Sequence, residues 1–170
     1  KCMADAAKHA LENKPDIIDI NMGCPAPKIV KSGDGSALMK NPKLIYEITA
    51  AVRDALPPEI PVAVKLRAGY TQDSINAVEC AHMAERGGAA FLTVHGRTRE
   101  QFYAPPVNWN IIRSVKKEVN IPVVGNGDVV DGPSAAALLR ESGCDALMIG
   151  RGALGRPYIF EEIRAYLRGE

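Results

Sequence analysis

The sequence is short of cysteine, of aromatic rings and of net charge. Its four cysteines, Cys2, Cys24, Cys80 and Cys144, form no CxxC pair. That argues against a disulfide scaffold and a metal site, and fits free thiols in a reducing, cytoplasmic compartment. Lys and Arg number 21 against 20 for Asp and Glu, a net charge of +1, so no global field draws the chain to nucleic acid and such a partner must be held by a local patch. No apolar run approaches the ~20 residues of a membrane span; the runs are as short as Ile121–Val124. No GxGxxG follows the first strand-like run, which argues against a dinucleotide (Rossmann) site. No signal peptide is legible, although the first residue is Lys1 and not Met, which leaves a removed leader open.

What is present is a repeating unit. With 170 residues, 46% hydrophobic and 24% charged, the chain suits one folded domain with a sizeable core. Five β-branched apolar runs, Ile17–Ile20, Val62–Leu66, Phe91–Val94, Ile121–Val124 and Ala146–Ile149, are each four or five residues long and bounded by turn residues. They read as buried parallel strands. Amphipathic helices separate them: Asn41 caps a helix opened by Pro42, Asp73 caps one ending at Gly87-Gly88, and Asn108 precedes a third. Pro133 opens a fourth that ends at Gly143, and Pro157 opens the last, with Ile163 and Leu167 ahead of Gly169. A further helix from about Met3 to Leu11 stops before Pro15. Strict alternation makes this an α/β protein with a parallel sheet, either a complete doubly wound domain or part of a (β/α)8 barrel.

Polar residues and glycines gather just after every strand: Asn21–Pro25, Lys65–Gly69, His95–Arg99, Gly125–Asp128 and Gly150–Gly152. The carboxyl ends of parallel strands carry the active sites of such folds. Gly150-Arg151-Gly152 and Gly125-Asn126-Gly127 either make tight turns or cradle a phosphate on backbone N–H groups, with a helix N-terminus behind them; Arg151 favours phosphate. Lys65 ends an apolar strand, where a buried ammonium needs an acceptor, so it either snorkels or donates to an electron-rich ring such as a flavin's. His95 offers a second donor beside it. Cys24, between Gly23 and Pro25, is placed to act as a nucleophile or a proton donor, whereas Cys80 and Cys144 read as packing residues and Cys2 as incidental. Lys28, Lys31, Arg67, Arg97, Arg99, Arg151 and Arg156 outnumber the acids of these loops, which suits either a solvated rim or a polyanionic substrate. Tyr103 and Trp109 flank the longest irregular segment and are placed to stack on a base.

Taken together, Asp19–Pro25 continuing through Gly33–Leu38, Val64–Arg67, His95–Tyr103, Gly125–Asp128 and Ile149–Gly152 resemble, in order, the motifs of the tRNA-dihydrouridine synthases, closest to the bacterial B-like group. The resemblance implies a (β/α)8 TIM barrel of which this chain is a partial one, about strands 4 to 8, with the first three strands and a C-terminal helical tRNA-binding domain absent. It implies FMN as cofactor, NADPH as reductant and tRNA as partner. Lys65, His95, Asn126, Gly127, Asp128, Gly150 and Arg151 would then hold FMN. Asn21, Arg67 and Tyr103 would contact the uracil, and Cys24 would protonate C5 while hydride passes from flavin N5 to C6. After Tyr103 the chain departs from the family pattern: Ala104-Pro-Pro-Val-Asn-Trp109 stands where Gly and then Ala-Asp-Trp are usual. Two prolines stiffen that loop, and a change in the uridine position served is expected.

A part-barrel leaves two strand edges unpaired and, by the resemblance, lacks the family's early flavin contacts, so residues 1–170 alone are expected to self-associate or swap and to bind FMN poorly. Two other readings stay open: an FMN-dependent dehydrogenase of free pyrimidines, and a non-catalytic RNA- or phosphate-binding barrel relic.

Overall fold

The computed structural model describes residues 2–170. Five strands, β1 (Ile18–Asn21), β2 (Val62–Arg67), β3 (Phe91–His95), β4 (Val123–Asn126) and β5 (Ala146–Met148), pair in parallel in the order β1-β2-β3-β4-β5. The helices are α1 (Cys2–Ala10), α2 (Pro27–Lys31), α3 (Pro42–Ala55), α4 (Ala77–Arg86), α5 (Trp109–Glu118), α6 (Gly132–Ser142) and α7 (Ile159–Arg168). Helices α3, α4, α5, α6 and α7 each pack on the next, so they form one layer along one face of the sheet. A doubly wound sheet reverses its strand order and carries helices on both faces. This one does neither, and its sequential order is that of an arc of a (β/α)8 barrel.

The strands alternate. Ile20, Val64, Leu66, Leu92, Val94 and Val123 are buried in one hydrophobic core with Ile45 and Val52 of α3, Ala81 of α4, Ile112 and Val115 of α5, Leu138 of α6 and Ile159 of α7. Removing such side chains from water supplies the bulk of the folding free energy. Residues of the opposite parity turn to the other face, and here the ladder does the positioning. Its register aligns Asn21 with Lys65, and Arg67 with His95, Asn126 and Met148. Aligned residues of a parallel sheet point the same way. The strand ends therefore present two successive, mostly polar rows on the face away from the helices.

Three helix starts follow the expected chemistry: the Asn41 side chain accepts from Leu44 N ahead of Pro42, the Asn108 side chain accepts from Asn110 N, and Pro133 sits in the first turn of α6. Elsewhere the structure corrects the sequence reading. Asp73 caps nothing; Thr71 and Ser74 form a reciprocal capping box around the 3-10 turn Gln72–Ser74, and α4 starts only at Ala77. The fourth strand runs Val123–Asn126 and not Ile121–Val124, because Pro122 has no N–H to give the ladder. Leu167 is exposed, and Ile159 with Ile163 forms the buried side of α7. Cys80 and Cys144 are buried as expected, and burial pushes the Cys80 thiol up to about 12.

Candidate active site

The carboxyl ends of all five strands, with the loops after β1, β3, β4 and β5, line a cleft of about 750 Å³, within the size range of small-molecule and cofactor sites. Of the residues singled out from the sequence, Asn21, Cys24, Lys65, Arg67, His95, Tyr103, Asn126, Gly127, Asp128, Gly150 and Arg151 all line it. Trp109 does not. It is half buried against the core, and its indole N–H donates to Gly127 O at 3.2 Å, so it props the β4 loop and is not free to stack on a base.

The Cys24 loop is fastened on both sides. Gly23 N donates to Asn21 Oδ1 at 3.0 Å, and Gly23 O accepts from Arg67 Nε at 2.9 Å. Both the amide and the hydroxyl of Ser36 donate to Cys24 O, at 3.0 and 2.9 Å. The segment carrying Ser36 can come this close because residue 35 is glycine: φ is +58°, and a Cβ there would lie 2.9 Å from Cys24 Cβ. The thiol thus sits half buried at the cleft wall on a loop held by four hydrogen bonds. Ser36 was not singled out from the sequence; only its place in the Gly33–Leu38 run marked it.

Arg67 is 4% exposed. Besides Gly23 O, it holds Thr98 O and Phe102 O from Nη1, both at 2.9 Å, so it clamps the β1 loop to the β3 loop. Nη2 alone is left to meet a ligand. Lys65 faces the same space, and among the described residues no carboxylate lies within ion-pair distance of it. Burial, and next the charge of Arg67, lower its pKa. It is the cation of the cleft that most needs an acceptor. His95 is 6% exposed; burial and then the cations Arg67, Lys65 and Arg97 hold its imidazole down at about 3. It therefore meets a ligand as a neutral ring.

That shift makes an acid-stability statement. Unfolded, His95 takes up a proton near its ordinary value of 6.5, whereas folded it stays neutral to about 3. The unfolded chain then binds more protons, so stability falls as pH drops through that window. The loss expected by pH 5 is about 2 kcal/mol. Urea unfolding at pH 7.5 and 5 checks it, and His95→Gln should flatten the difference.

On the far side of the cleft, Arg97 is 1% exposed and makes a two-pronged ion pair with Asp128 at 2.8 and 2.6 Å, while its Nε donates to Ala104 O at 2.8 Å. Asp128, in the left-handed region at φ 58°, also accepts from Arg151 at 3.0 Å. The Arg97 hydrogen bonds hold its carboxyl below the usual range. The carboxylate is thus spent on two arginines, and what residue 128 offers an anion is its backbone N–H. Behind Gly150 there is only the 3-10 turn Arg151–Ala153 and no long helix, so positive charge at that loop comes from the Arg151 guanidinium. It lies 4.6 Å from the Tyr103 ring centroid, and that of Arg67 lies 6.0 Å away, so exposed Tyr103 stands between two cations at the mouth. Asn126 donates to Met148 O at 2.8 Å, leaving its side-chain oxygen free. Arg97 was seen in the sequence only as one loop cation. It lies two residues beyond the end of β3, in a bend and not in the strand, so strand alternation gave no signal of its burial.

Among the described residues no group of His, Cys, Asp and Glu could hold a metal ion, and no helix is long and apolar enough to cross a membrane.

The chain was compared with known proteins. Residues 1–170 match the family model for dihydrouridine synthase (Dus). A tRNA-dihydrouridine synthase B of Proteus vulgaris is 50% identical over 165 residues, covering 97% of this chain and 50% of that protein; one from Shewanella oneidensis is 48% identical over 165 residues, covering 97% and 51%. The chain spans about half the length of the curated relatives it matches. Among solved structures, a dipeptide epimerase from Enterococcus faecalis aligns with TM-score 0.66 at 15% identity, over 99% of this chain and 40% of that one. A mandelate racemase/muconate lactonizing enzyme from Roseiflexus aligns with TM-score 0.64 at 20% identity, over 98% and 41%. At such identities these two likenesses speak for the fold alone. The match along the whole chain and the half-identical relatives place it plainly: this chain belongs to the dihydrouridine synthase family.

Proposed function

We propose that the intact protein carrying this chain is an FMN-dependent tRNA-dihydrouridine synthase, reducing the C5–C6 double bond of uridines in tRNA with NADPH. The chain would supply strands four to eight of a (β/α)8 barrel, and the sequential strand order supports that placement. The observation that carries the reading is one cleft whose near wall bears a tethered thiol, whose floor bears an unpaired ammonium, and whose far wall bears open glycine loops with an arginine. A Cβ at Gly150 would meet nothing within 4 Å, so that backbone is approachable by an anion, whereas Gly127 is glycine for its φ of +133° and for Val107, which lies 2.7 Å from where its Cβ would be.

These residues fit FMN. The phosphate would meet Asn126, Gly127, the amide of Asp128, Gly150 and Arg151, and the ring's electron-rich edge would meet Lys65 and His95. Bound there, a reduced flavin supplies the hydride that C6 of uracil requires. The rest of the work falls to the chain. Cys24 holds a proton on Sγ for C5, the second half of a net addition of H2, and needs no neighbouring base to do so. Asn21, Tyr103 and the free Nη2 of Arg67 orient the uracil, which must leave its stack to enter.

The test is product analysis. Intact protein with FMN and NADPH is incubated with unmodified tRNA or free uridine, and the nucleosides are separated by mass. The reading requires a product two mass units heavier than uridine from tRNA and none from free uridine. Conversion of the free nucleoside instead identifies a pyrimidine dehydrogenase, and conversion of neither identifies a barrel without this activity.

A further inference from the structure

Outside the cleft, but at the same end of the sheet, three loops bring two cations onto one aromatic ring. Lys40 closes the 3-10 segment that follows the Cys24 loop, Tyr70 follows β2, and Arg99 follows β3. Lys40 Nζ lies 3.6 Å from the Tyr70 ring centroid and the Arg99 guanidinium carbon 5.3 Å from it. The two charges are therefore within about 9 Å of each other, inside the Debye length of roughly 10 Å at 0.1 M salt. Among the described residues neither has a carboxylate within ion-pair distance, and Arg99 Nε is buried without a hydrogen-bond partner. Two like charges share a ring, and no carboxylate among the described residues pairs with either.

The arrangement is also rigid. Arg99 N donates to Gly69 O at 2.9 Å and Glu100 N to Tyr70 O at 3.1 Å, which extends the β2–β3 pairing past the strand ends. The Asn76 side chain donates to Met39 O at 2.8 Å, pinning the residue before Lys40. A cationic site held this firmly and lacking its anion is built to receive one.

We propose that Lys40, Tyr70 and Arg99 form a phosphodiester-binding site that grips the RNA backbone beside the cleft. This rests on the tRNA reading above. With two cations packed on the ring, Tyr70 has little free face for a base, so the contact is to phosphate and independent of base sequence. None of the three residues lines the cleft, so the site contributes to binding and not to the chemical step. A nucleotide phosphate, such as that of the dinucleotide reductant, has the same chemistry and is the other source the test must separate.

The experiment uses the intact protein with Lys40→Ala, Arg99→Ala and the charge-keeping Lys40→Arg. Lys40 is exposed, so its variants do not endanger folding. Dissociation constants for unmodified tRNA are measured from 50 to 300 mM salt, alongside KM and kcat for dihydrouridine formation and KM for NADPH. Lys40→Ala should weaken tRNA binding roughly fivefold at low salt and reduce the salt slope by about 0.7 to 0.9. Lys40→Arg should restore both, with kcat at saturating tRNA and KM for NADPH unchanged. Unchanged affinity and slope in Lys40→Ala, with wild type binding normally, overturn the site and leave the tRNA reading standing. A raised KM for NADPH with tRNA binding untouched assigns the anion to the dinucleotide and also overturns it. Wild-type protein that binds no tRNA overturns the tRNA reading and this site with it.

Discussion

Cys24→Ala in the intact protein is expected to lower dihydrouridine formation by roughly 10²- to 10⁴-fold, the usual worth of a positioned general acid, while flavin content and the rate at which NADPH reduces the flavin stay at wild-type levels. The separation follows from the geometry. The loop of Cys24 is held through backbone atoms, by Ser36 on Cys24 O, by Arg67 on Gly23 O and by Asn21 on Gly23 N. Removing the sulfur atom disturbs none of these bonds. The candidate phosphate loops lie across the cleft, at the ends of β4 and β5. Parallel loss of flavin and product would show that the side chain supports the fold of the site instead of supplying a proton. Cys24→Ser would be intermediate, because a hydroxyl is a far weaker acid than a thiol at the same position.

The second large effect is on stability. Asp128→Asn is expected to cost about 3 kcal/mol, seen as a lower denaturant midpoint at unchanged slope. The Arg97 side chain is 2% exposed and its permanent charge faces that carboxylate at 2.6 Å, so neutralising the acid strands a buried guanidinium that cannot lose its proton. Asparagine keeps the size, an acceptor oxygen and tolerance of the left-handed backbone at position 128, so the cost reports the charge and not strain. Arg151→Ala, which removes only the exposed partner, should cost well under 1 kcal/mol. Equal losses from the two variants would contradict the view that the buried half of the network carries the energy.

Where the sequence could be read, local chemistry was unambiguous. Asn41-Pro42 ahead of Leu44 and Ile45 admits one helix start, and the structure has it. Around residue 73 two capping signals compete: Thr71 with Ser74 closes a complete box, so Asp73, a good cap in isolation, is left inside the turn. At Pro122 the apolar pattern began two residues before the ladder could, since hydropathy takes no account of a missing N–H.

The site divides the same way. Lys65 and His95 stood out because each is polar at the end of an apolar run, Asn126 because it stands between two glycines after one, and one cleft collects them. The Arg97–Asp128 pair did not, because it joins residues 31 apart in the chain and exists only when the register sets His95 opposite Asn126. The binding of Arg67 to three carbonyls was equally hidden; the family resemblance implied a substrate contact, whereas most of its donors hold loops together.

The measurement that tests the central claim most directly is an anaerobic single turnover. The intact protein, its bound flavin reduced by NADPH and the excess removed, is mixed with unmodified tRNA. Flavin reoxidation is followed by absorbance, and dihydrouridine is counted in the quenched tRNA. The account requires reoxidation on mixing with tRNA, one dihydrouridine formed per flavin reoxidised, and no reoxidation by free uridine or uracil. A flavin that stays reduced in the presence of tRNA, or that is reoxidised by the free pyrimidine, would contradict it.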